Sequence, residues 1–352
     1  MNLLMFNLAV DSEHVTLAFG LNWIRKLALR FDHIDVVTMY EGVYELPSNV
    51  TVWSVGGEKN YSKWLRFLNF YLIILKIFTR RKINKVFTHM IPIFAIMFWP
   101  ISLVTRLKNV MWYAHGAVDS SLKLAHRMVS TVVTSTPEGC RIKSKKIIVI
   151  GQGVDVETYK FSKKVLNTEF NIITVGRVAE SKNIELIIKA FLSWKLCFHD
   201  KKTLYIVGAG TDSNERKYER KLKDYLHITD HTGSVKFLGR KDSDVIYSLL
   251  KRSNLFINLS ETGSLDKAIV ESMASGCPVI SSNDSFKAIA SKFGFLCCVV
   301  DLSIDDIHDK LSVIEAMDIQ EFNELVNKQY IATKGHTLDG LINRLVKVIY
   351  AS

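Results

Sequence analysis

The sequence predicts an α/β protein with two doubly wound domains, each built on a parallel sheet. Apolar, β-branched runs alternate with helical stretches, which is typical of parallel strands covered on both faces. The alternation restarts after the turn-rich segment Gly151-Gln-Gly-Val-Asp155, and 352 residues are comfortable for two domains. We expect the two domains to face each other across a central cleft, with ligands at the carboxyl ends of the strands.

The first domain is predicted to span residues 1–155. A helix is expected from Trp23 to Phe31. The expected strands are 3–10, 34–38, 50–53, 85–88, 110–114, 131–134 and 146–150.

The second domain is predicted to span residues 156–335, after a hinge near 151–165. Its expected strands are 171–175, 203–207, 235–238, 254–259 and 278–281, with helices near 184–196, 212–226, 244–251 and 267–275. The apolar spacing in residues 336–352 predicts a terminal helix that crosses back to the first domain.

Positive charge is concentrated in the first half of the chain. Residues 1–155 hold 19 Lys and Arg against 10 Asp and Glu, while residues 156–352 hold 27 against 25. A basic half suggests an anionic partner surface, either nucleic acid or an acidic membrane. The chain shows no RNA-binding aromatic motif and no helix-turn-helix pattern, so we favour the membrane.

Two apolar segments bear on the membrane hypothesis. Residues 64–78 mix aromatic and aliphatic side chains with a few cations and precede Thr79-Arg-Arg-Lys82, a pattern of either an interfacial helix or a buried one. Residues 90–104 are apolar but shorter than the ~20 residues of a membrane span, and we interpret them as a buried helix. We see no secretion signal, and five scattered cysteines fit reduced thiols in the cytosol.

Two cations follow the first strand of the second domain. In the segment 173–182, an apolar run ends at Gly176, where the chain turns, and Arg177 and Lys182 then precede a helix. Cations at the end of a parallel strand, beside a helix N-terminus, suit a ligand with two or more phosphates. The alternative is a pair of solvated surface charges.

A second motif follows strand 255–260. It reads Glu261-Thr-Gly-Ser-Leu-Asp-Lys-Ala-Ile-Val-Glu271 and continues into Ser272-Met-Ala-Ser-Gly276. This order resembles the retaining glycosyltransferases of family four, which have the two-domain GT-B architecture. The family's pattern is a strand, a Glu, seven residues, a second Glu, a short helix ending in Met-Ala-x-Gly, and a strand that starts with Pro-Val.

The resemblance covers most of residues 146–300. The matching positions are Gly176, Arg177, Lys182, 206–210, 237–239, Glu271, Met273, Ala274, Gly276, Pro278 and Val279. The link Gly153-Val-Asp155 also resembles the family's domain junction. These positions include Gly239, and we assign Gly239 and the following Arg240 to the donor site.

The resemblance implies that Glu271 holds the ribose hydroxyls of a nucleotide, since a carboxylate oxygen accepts hydrogen bonds from hydroxyls. The alternative is an exposed helix residue. The family's first Glu falls on Gly263 here. Either Glu261 or Asp266 supplies the missing carboxylate, or backbone N–H groups of the loop bind the sugar and phosphates. That loop comprises Gly263, Ser264, Leu265, Asp266, Lys267 and Ala268.

In the first domain, His115 follows an apolar strand. The resemblance implies that a His near this point contacts the donor sugar across the cleft, and we assign that role to His115. His89, at the end of another strand, is a weaker acceptor-side candidate, and Asp11 stands where the family has a Gly-Gly loop. A purely structural role is the alternative for both histidines.

The function that the resemblance implies is transfer of a sugar from a nucleotide diphosphate sugar, with retention and without a metal or other cofactor. Arg177, Lys182 and loop N–H groups would stabilise the charge that develops on the departing nucleoside diphosphate. The segment Asp242-Ser-Asp244 imitates a metal-binding Asp-x-Asp, but it stands where a helix begins, so we interpret it as a helix cap.

The acceptor is predicted to be a lipid-linked saccharide or lipopolysaccharide, as in surface polysaccharide biosynthesis. The protein would then be cytoplasmic and peripheral, on the inner face of the cell membrane. Two alternatives remain open. One is a non-catalytic nucleotide-sugar-binding subunit, which the displaced first Glu favours, and the other is an enzyme of the same fold, such as a nucleotide-sugar epimerase or a phosphorylase.

Overall fold

The computed structural model describes residues 1–13, 19–155, 158–162, 169–196, 201–260 and 263–352. The chain forms two compact units. Unit 1 comprises Met1–Gly153 and Leu338–Ser352, and unit 2 comprises Val154–Thr337. Each unit is built on one parallel sheet with helices, so the α/β class predicted from the sequence is confirmed.

The strands lie where the apolar runs predict them, with boundaries shifted by at most three residues. They are β1 (Asn2–Val10), β2 (His33–Glu41), β3 (Val50–Ser54), β4 (Lys85–His89), β5 (Asn109–Trp112), β6 (Thr131–Thr134), β7 (Ile147–Val149), β8 (Phe170–Val175), β9 (Lys202–Val207), β10 (Val235–Gly239), β11 (Leu255–Asn258) and β12 (Val279–Ser281).

The α-helices alternate with these strands. They are α1 (Phe19–Ala28), α2 (Lys63–Arg80), α3 (Pro92–Thr105), α4 (Ser120–Met128), α5 (Ile184–Leu196), α6 (Ser213–Ile228), α7 (Ser243–Arg252), α8 (Lys267–Ala274), α9 (Asp284–Phe293), α10 (Ile304–Glu315), α11 (Ile319–Thr333) and α12 (Leu338–Ala351).

The sheet of unit 1 has the strand order β3-β2-β1-β4-β5-β6-β7. Leu3 and Met5 of β1 pack on one face in a cluster that includes α1 and α12, while Leu4 and Phe6 pack on the other face with α2 and α3. Because successive side chains of a strand point to opposite faces, helices on both faces require the continuous apolar run of β1. The strand order reverses between β1 and β4.

The sheet of unit 2 has the strand order β10-β9-β8-β11-β12, and all its pairings are parallel. A single buried cluster spans both faces and contains Trp194, Phe256 and Phe286. The chain moves from β8 towards β9 and β10, then returns to place β11 on the other side of β8. The loops that follow β8 and β11 therefore leave the carboxyl edge of the sheet at its switch point.

Helices α2 and α3 cover one face of the unit 1 sheet. Phe94, Ala95 and Phe98 of α3 are buried, whereas Leu103 and Val104 at its end are exposed. The interpretation of residues 90–104 as a buried helix therefore holds for the first part of α3 and is wrong for its end. No helix within the described residues combines the length and apolarity needed to cross a bilayer.

Candidate active site

The loop after β8 carries the two cations singled out in the sequence. The chain turns at Gly176 (φ +153°), passes through a short 3₁₀ helix, Glu180–Lys182, and enters α5 after Asn183. Asn183 adopts a left-handed conformation and its Nδ2 donates to the carbonyl of Leu259 at 2.9 Å. This hydrogen bond joins the β8 loop to the β11 loop and places Lys182 at the switch point of the sheet.

Lys182 meets a carboxylate of the β11 loop. Its Nζ lies 2.5 Å from Oδ2 of Asp266, which also accepts from Asn258 Nδ2 at 3.1 Å and Ser260 Oγ at 3.2 Å. Burial by itself would raise the pKa of Asp266, but the charge of Lys182 and the three hydrogen bonds outweigh it and hold the pKa below its ordinary value. Both partners are largely shielded, with side chains 15% and 25% exposed.

Glu271 lies one turn after Lys267 on α8, beside this pair. Burial raises the pKa of Glu271 to about 7; the charge of Lys267 opposes the shift, the charge of Asp266 adds to it, and a hydrogen bond from Tyr159 opposes it. Burial also lowers the pKa of Lys267. The cluster therefore holds two carboxylates and two lysines, which come from two loops and the first two turns of α8.

The segment from Gly263 to Asp266 is anchored by the element that follows β12. The carbonyl of Gly263 accepts from Ser285 Oγ at 2.8 Å, and that of Ser264 accepts from Asn283 Nδ2 at 3.0 Å, while Leu265 is buried. Gly263 has φ +74°, a conformation that strains residues with a side chain.

This backbone conformation gives a physical reason for the missing family carboxylate, since a glutamate at position 263 would be strained. Of the two replacements that the sequence left open, Asp266 has its carboxylate in the cluster. Glu261 lies outside the described residues.

Arg177 engages a different carboxylate. Its Nη1 pairs with Oε1 of Glu215 on α6, and Glu215 Oε2 accepts from the backbone N–H and the hydroxyl of Thr211. The side chain of Arg177 is 44% exposed. The structure thus brings Lys182, Asp266, Lys267 and Glu271 together and directs Arg177 towards the loop after β9.

Three glycines let the loops after β8, β9 and β10 lie directly against one another. The N–H of Gly176 donates to the carbonyl of Val207 at 3.0 Å, and that of Gly208 donates to the carbonyl of Gly239 at 2.9 Å. A Cβ on Gly208, which has φ +132°, would stand 1.8 Å from the carbonyl oxygen of Gly176. Arg240 follows as an exposed residue.

Sequence reasoning missed several groups of this site, namely Tyr159, Glu215, Asn258 and Ser260. Asn258 and Ser260 end an apolar strand just before the second motif, so their position was a usable signal. Tyr159 and Glu215 lie four and five residues after motif positions (Asp155 and Gly210), but neither belongs to a motif, so the sequence did not single them out.

The candidate residues of unit 1 follow adjacent strands. Asp11 comes after β1, His89 ends β4, and His115 comes after β5, so all three lie at the carboxyl edge of the sheet. Asp11 holds its own loop, because its Oδ1 accepts from the backbone N–H groups of Glu13 at 3.0 Å and Val43 at 3.2 Å.

The two histidines of unit 1 differ in exposure. His89 is buried, with Nδ1 2.9 Å from Asn7 Oδ1 and its ring centroid 4.7 Å from that of Trp23. His115 is exposed, and its Nδ1 accepts from the N–H of Ala117 at 3.2 Å. Of these two side chains, His115 is therefore the one open to a ligand.

The Asp-x-Asp segment does start a helix. Asp242 is the N-cap residue of α7 and Asp244 lies in its first turn, although the Asp242 side chain makes no capping hydrogen bond within the described chain. Across the described ranges, no group of three or more His, Cys, Asp or Glu side chains is arranged to hold a metal ion.

The two parallel-sheet units have the fold of GT-B glycosyltransferase structures, as the sequence predicted. Over the full length of both chains, the structure superposes on Anabaena HepE in complex with UDP with a TM-score of 0.78 at 16% identity. WaaG, a glycosyltransferase involved in lipopolysaccharide biosynthesis, gives a TM-score of 0.71 at 12% identity, covering 99% of this chain and 100% of WaaG. At such identities the likeness concerns the fold.

The sequence comparisons point to one family. Residues 155–328 match the model of the glycosyl transferases group 1. An uncharacterized glycosyltransferase of Methanocaldococcus jannaschii is 25% identical over 148 residues, which are 40% of this chain and 36% of that protein. The alpha-monoglucosyldiacylglycerol synthase of Acholeplasma laidlawii is 24% identical over 168 residues, 47% of this chain and 39% of that protein.

The aligned stretches thus span well under half of these two relatives. Together with the fold, the family match supports the group 1 glycosyltransferase family for this chain.

Proposed function

We propose that this protein is a glycosyltransferase that moves a sugar from a nucleotide diphosphate sugar to a membrane-associated lipid or lipid-linked saccharide, with retention and without a metal ion. The observation that carries the proposal is the meeting of Lys182 and Asp266 at the switch point of the unit 2 sheet, beside Glu271. Open parallel sheets bind ligands at this position.

The chemistry rests on charge that develops on the leaving group. A diphosphate at the switch point takes the place of Asp266 as partner of Lys182, and N–H groups at the start of α8, which begins directly after Asp266, donate hydrogen bonds to it. Arg177 can turn from Glu215 to the same diphosphate, because its side chain is exposed and its guanidinium is held by one carboxylate. Such donors stabilise charge in the transition state more than in the ground state.

Glu271 takes the ribose. Its carboxylate lies one helical turn from Lys267 and accepts a hydrogen bond from Tyr159, which leaves acceptor capacity for the two ribose hydroxyls. The UDP and UDP-glucose complexes of the similar HepE structures make UDP-glucose the first donor to test. Retention and independence of a metal ion rest on the family resemblance of the motifs.

A membrane-associated acceptor is supported by the outer face of α2. Trp64, Leu68, Leu72 and Leu75 form an exposed stripe, while Phe70, Ile74 and Ile77 of the same helix are buried. An exposed apolar stripe flanked by cations is typical of a helix that docks on anionic lipid. The similar synthase from Acholeplasma laidlawii is named for a product that is a glucosylated diacylglycerol, a lipid. We place the protein on the inner face of the cell membrane, in surface polysaccharide biosynthesis.

The test is a turnover assay with UDP-glucose and other nucleotide sugars, using extracted membrane lipids as acceptors. Lys182→Ala should lower kcat/KM by about 100-fold or more, as does removal of one donor to a developing anion. Lys189→Ala is the matched control, because Lys189 is an exposed lysine on the neighbouring helix α5 and pairs with Glu185. It should leave turnover unchanged.

Several results would contradict the proposal. Full turnover by the double variant Arg177→Ala plus Lys182→Ala would refute the role assigned to the two cations. UDP-glucose binding with no turnover on any lipid extract would instead favour a non-catalytic subunit, and product formed without an acceptor would favour an epimerase. Inversion at the anomeric carbon, measured by NMR of the product, would refute retention.

A further inference from the structure

An apolar cavity opens between α2 and α3 in unit 1. It has a volume of about 450 Å³ and lies against Met39 at the end of β2. Phe67 of α2 and Ile93 and Met97 of α3 form part of its walls, and the one hydroxyl among the lining side chains, that of Tyr71, donates to the carbonyl of Met97 at 3.0 Å. The volume falls within the range of small-molecule pockets, about 300–1,000 Å³.

Two cations stand at this otherwise apolar or aromatic cavity. Lys63 and Arg66 are one helical turn apart on α2, and both line it. Arg66 Nη1 faces the thioether sulfur of Met39 at 3.5 Å, a weak acceptor, and Arg66 Nε is buried without an acceptor among the described residues. No carboxylate of the described chain pairs with Arg66. The positive charge of this half-buried guanidinium therefore has no carboxylate partner in the described chain, and its loss of hydration is poorly compensated. An anionic ligand would supply the missing partner.

The cavity lies at the same sheet edge as the candidate acceptor-side residues. Met39 lies near the carboxyl end of β2, and α3 begins three residues after His89, the last residue of β4. The cations come from the first turns of α2, which follows β3. A ligand whose apolar part fills the cavity therefore presents its polar end at the carboxyl edge of unit 1, where Asp11 and His115 also lie.

We infer that this cavity binds the hydrocarbon chain of the acceptor, and that Arg66 and Lys63 hold an anionic phosphate group at the head of that chain. The inference deepens the proposed function and rests on it in taking the bound amphiphile as the acceptor. A neutral lipid leaves the half-buried guanidinium of Arg66 without an anionic partner, and a soluble anion leaves the apolar walls exposed to water. An amphiphile with both parts therefore fits the cavity best.

The adjoining surface explains how such a ligand reaches the cavity. Phe67 is 40% exposed and Ile93 is 44% exposed, so both reach from the wall of the cavity to the surface. Trp64 packs edge-on against Phe67 with ring centroids 5.9 Å apart and is itself exposed. A chain leaving a bilayer under α2 would therefore pass along apolar side chains before it enters the cavity.

The test uses decyl phosphate below its micelle-forming concentration, with decanol and inorganic phosphate as the two half-ligands. Isothermal titration calorimetry of the full chain should give saturable binding of one decyl phosphate. Decanol should bind at least about 10-fold more weakly and inorganic phosphate should not compete, because each makes only one of the two kinds of contact.

Paired variants locate the site. Ile93→Asp should abolish decyl phosphate binding, whereas Leu103→Asp, at an exposed apolar position of the same helix outside the cavity, should not. Arg66→Gln should weaken decyl phosphate by about 10-fold and leave decanol unchanged, because it removes one charge-assisted contact. Arg80→Gln, at an exposed cation of the same helix, is its control. Ile93→Trp fills the cavity without adding charge and repeats the test should the Asp variant unfold.

Equal losses in Ile93→Asp and Leu103→Asp, or decyl phosphate binding that survives both Ile93→Trp and Arg66→Gln, would overturn the inference. UDP-glucose binding is measured on the same samples. Sugar transfer to a lipid by a protein that does not bind decyl phosphate overturns the cavity assignment alone. Decyl phosphate binding that follows the variants as expected, with no nucleotide-sugar binding, overturns the proposed function and leaves the cavity assignment supported.

Discussion

Replacing Gly208 by alanine tests how the loops after β8 and β9 are held against each other. Gly208 follows β9 with φ +132°, and a Cβ there would stand 1.8 Å from the carbonyl oxygen of Gly176, the residue before Arg177. No atom can occupy that position unless the β8 loop or the β9 loop moves. The substitution should therefore lower the stability of unit 2 and disturb the loop that carries both cations.

The size of the effect follows from two terms. A residue with a side chain held at such a φ costs about 1–3 kcal/mol. Forcing extra volume into a close backbone contact costs about 1–3 kcal/mol more. Taking about 3 kcal/mol in total, and about 2–4 °C per kcal/mol for a unit of this size, Tm should fall by about 6–12 °C.

Gly233→Ala is the matched control, because no atom of the described chain beyond Gly233 and its two chain neighbours lies within 4 Å of where its Cβ would stand. Thermal unfolding followed by circular dichroism, together with UDP-glucose affinity by calorimetry, should show a large loss for Gly208→Ala and almost none for Gly233→Ala. A Tm for Gly208→Ala within about 1 °C of the control would refute the reasoning about the loop contact.

Three further predictions concern charge. Because burial raises the pKa of Glu271 to about 7, UDP-glucose affinity should rise between pH 5.5 and 8 as the carboxylate ionises. Glu271→Gln should abolish that rise. Equal pH profiles of affinity for the parent protein and the variant would argue against the ribose role. The pKa of Asp266 is lowered, so its stabilising contacts are complete above its ordinary value and are lost as pH falls through the folded value. Asp266→Asn should lower the free energy of unfolding, measured with urea, by about 1.5–3 kcal/mol at pH 7 and by progressively less as the pH falls. A loss that does not depend on pH would exclude the ion pair with Lys182 as its cause. Leu72→Glu on the exposed face of α2 should release the protein from anionic vesicles, as should high salt, whereas Leu29→Glu, at an exposed position outside that helix, should not; equal release by both would refute docking through α2.

Most strands and helices could be predicted because their signals are local. The run that became β8 is apolar and β-branched, and the apolar spacing after Lys182 is that of α5, so neighbouring residues already specify both elements. The prediction that the end of α3 is buried was wrong for a related reason. Periodicity and apolarity show that a segment is helical, but they do not show whether another element covers residues such as Leu103.

The candidate site was predictable only in part. Gly176, Lys182 and Glu271 were identified from motifs whose residues are close in sequence. The pairing of Lys182 with Asp266 joins residues 84 positions apart, and that of Arg177 with Glu215 joins residues 38 positions apart. Which carboxylate each cation finds depends on which loops are neighbours, and the strand order of the sheet decides that.

The sequence by itself determined that two parallel sheets alternate with helices, and which residues follow each strand, because both follow from patterns within a few residues. Only the tertiary structure decided that Lys182 pairs with Asp266, since a positive φ at Gly263 and the anchors at Asn283 and Ser285 set the path of that loop. The cavity between α2 and α3 is likewise a product of packing, because its walls come from three elements whose sequences are separately unremarkable for binding.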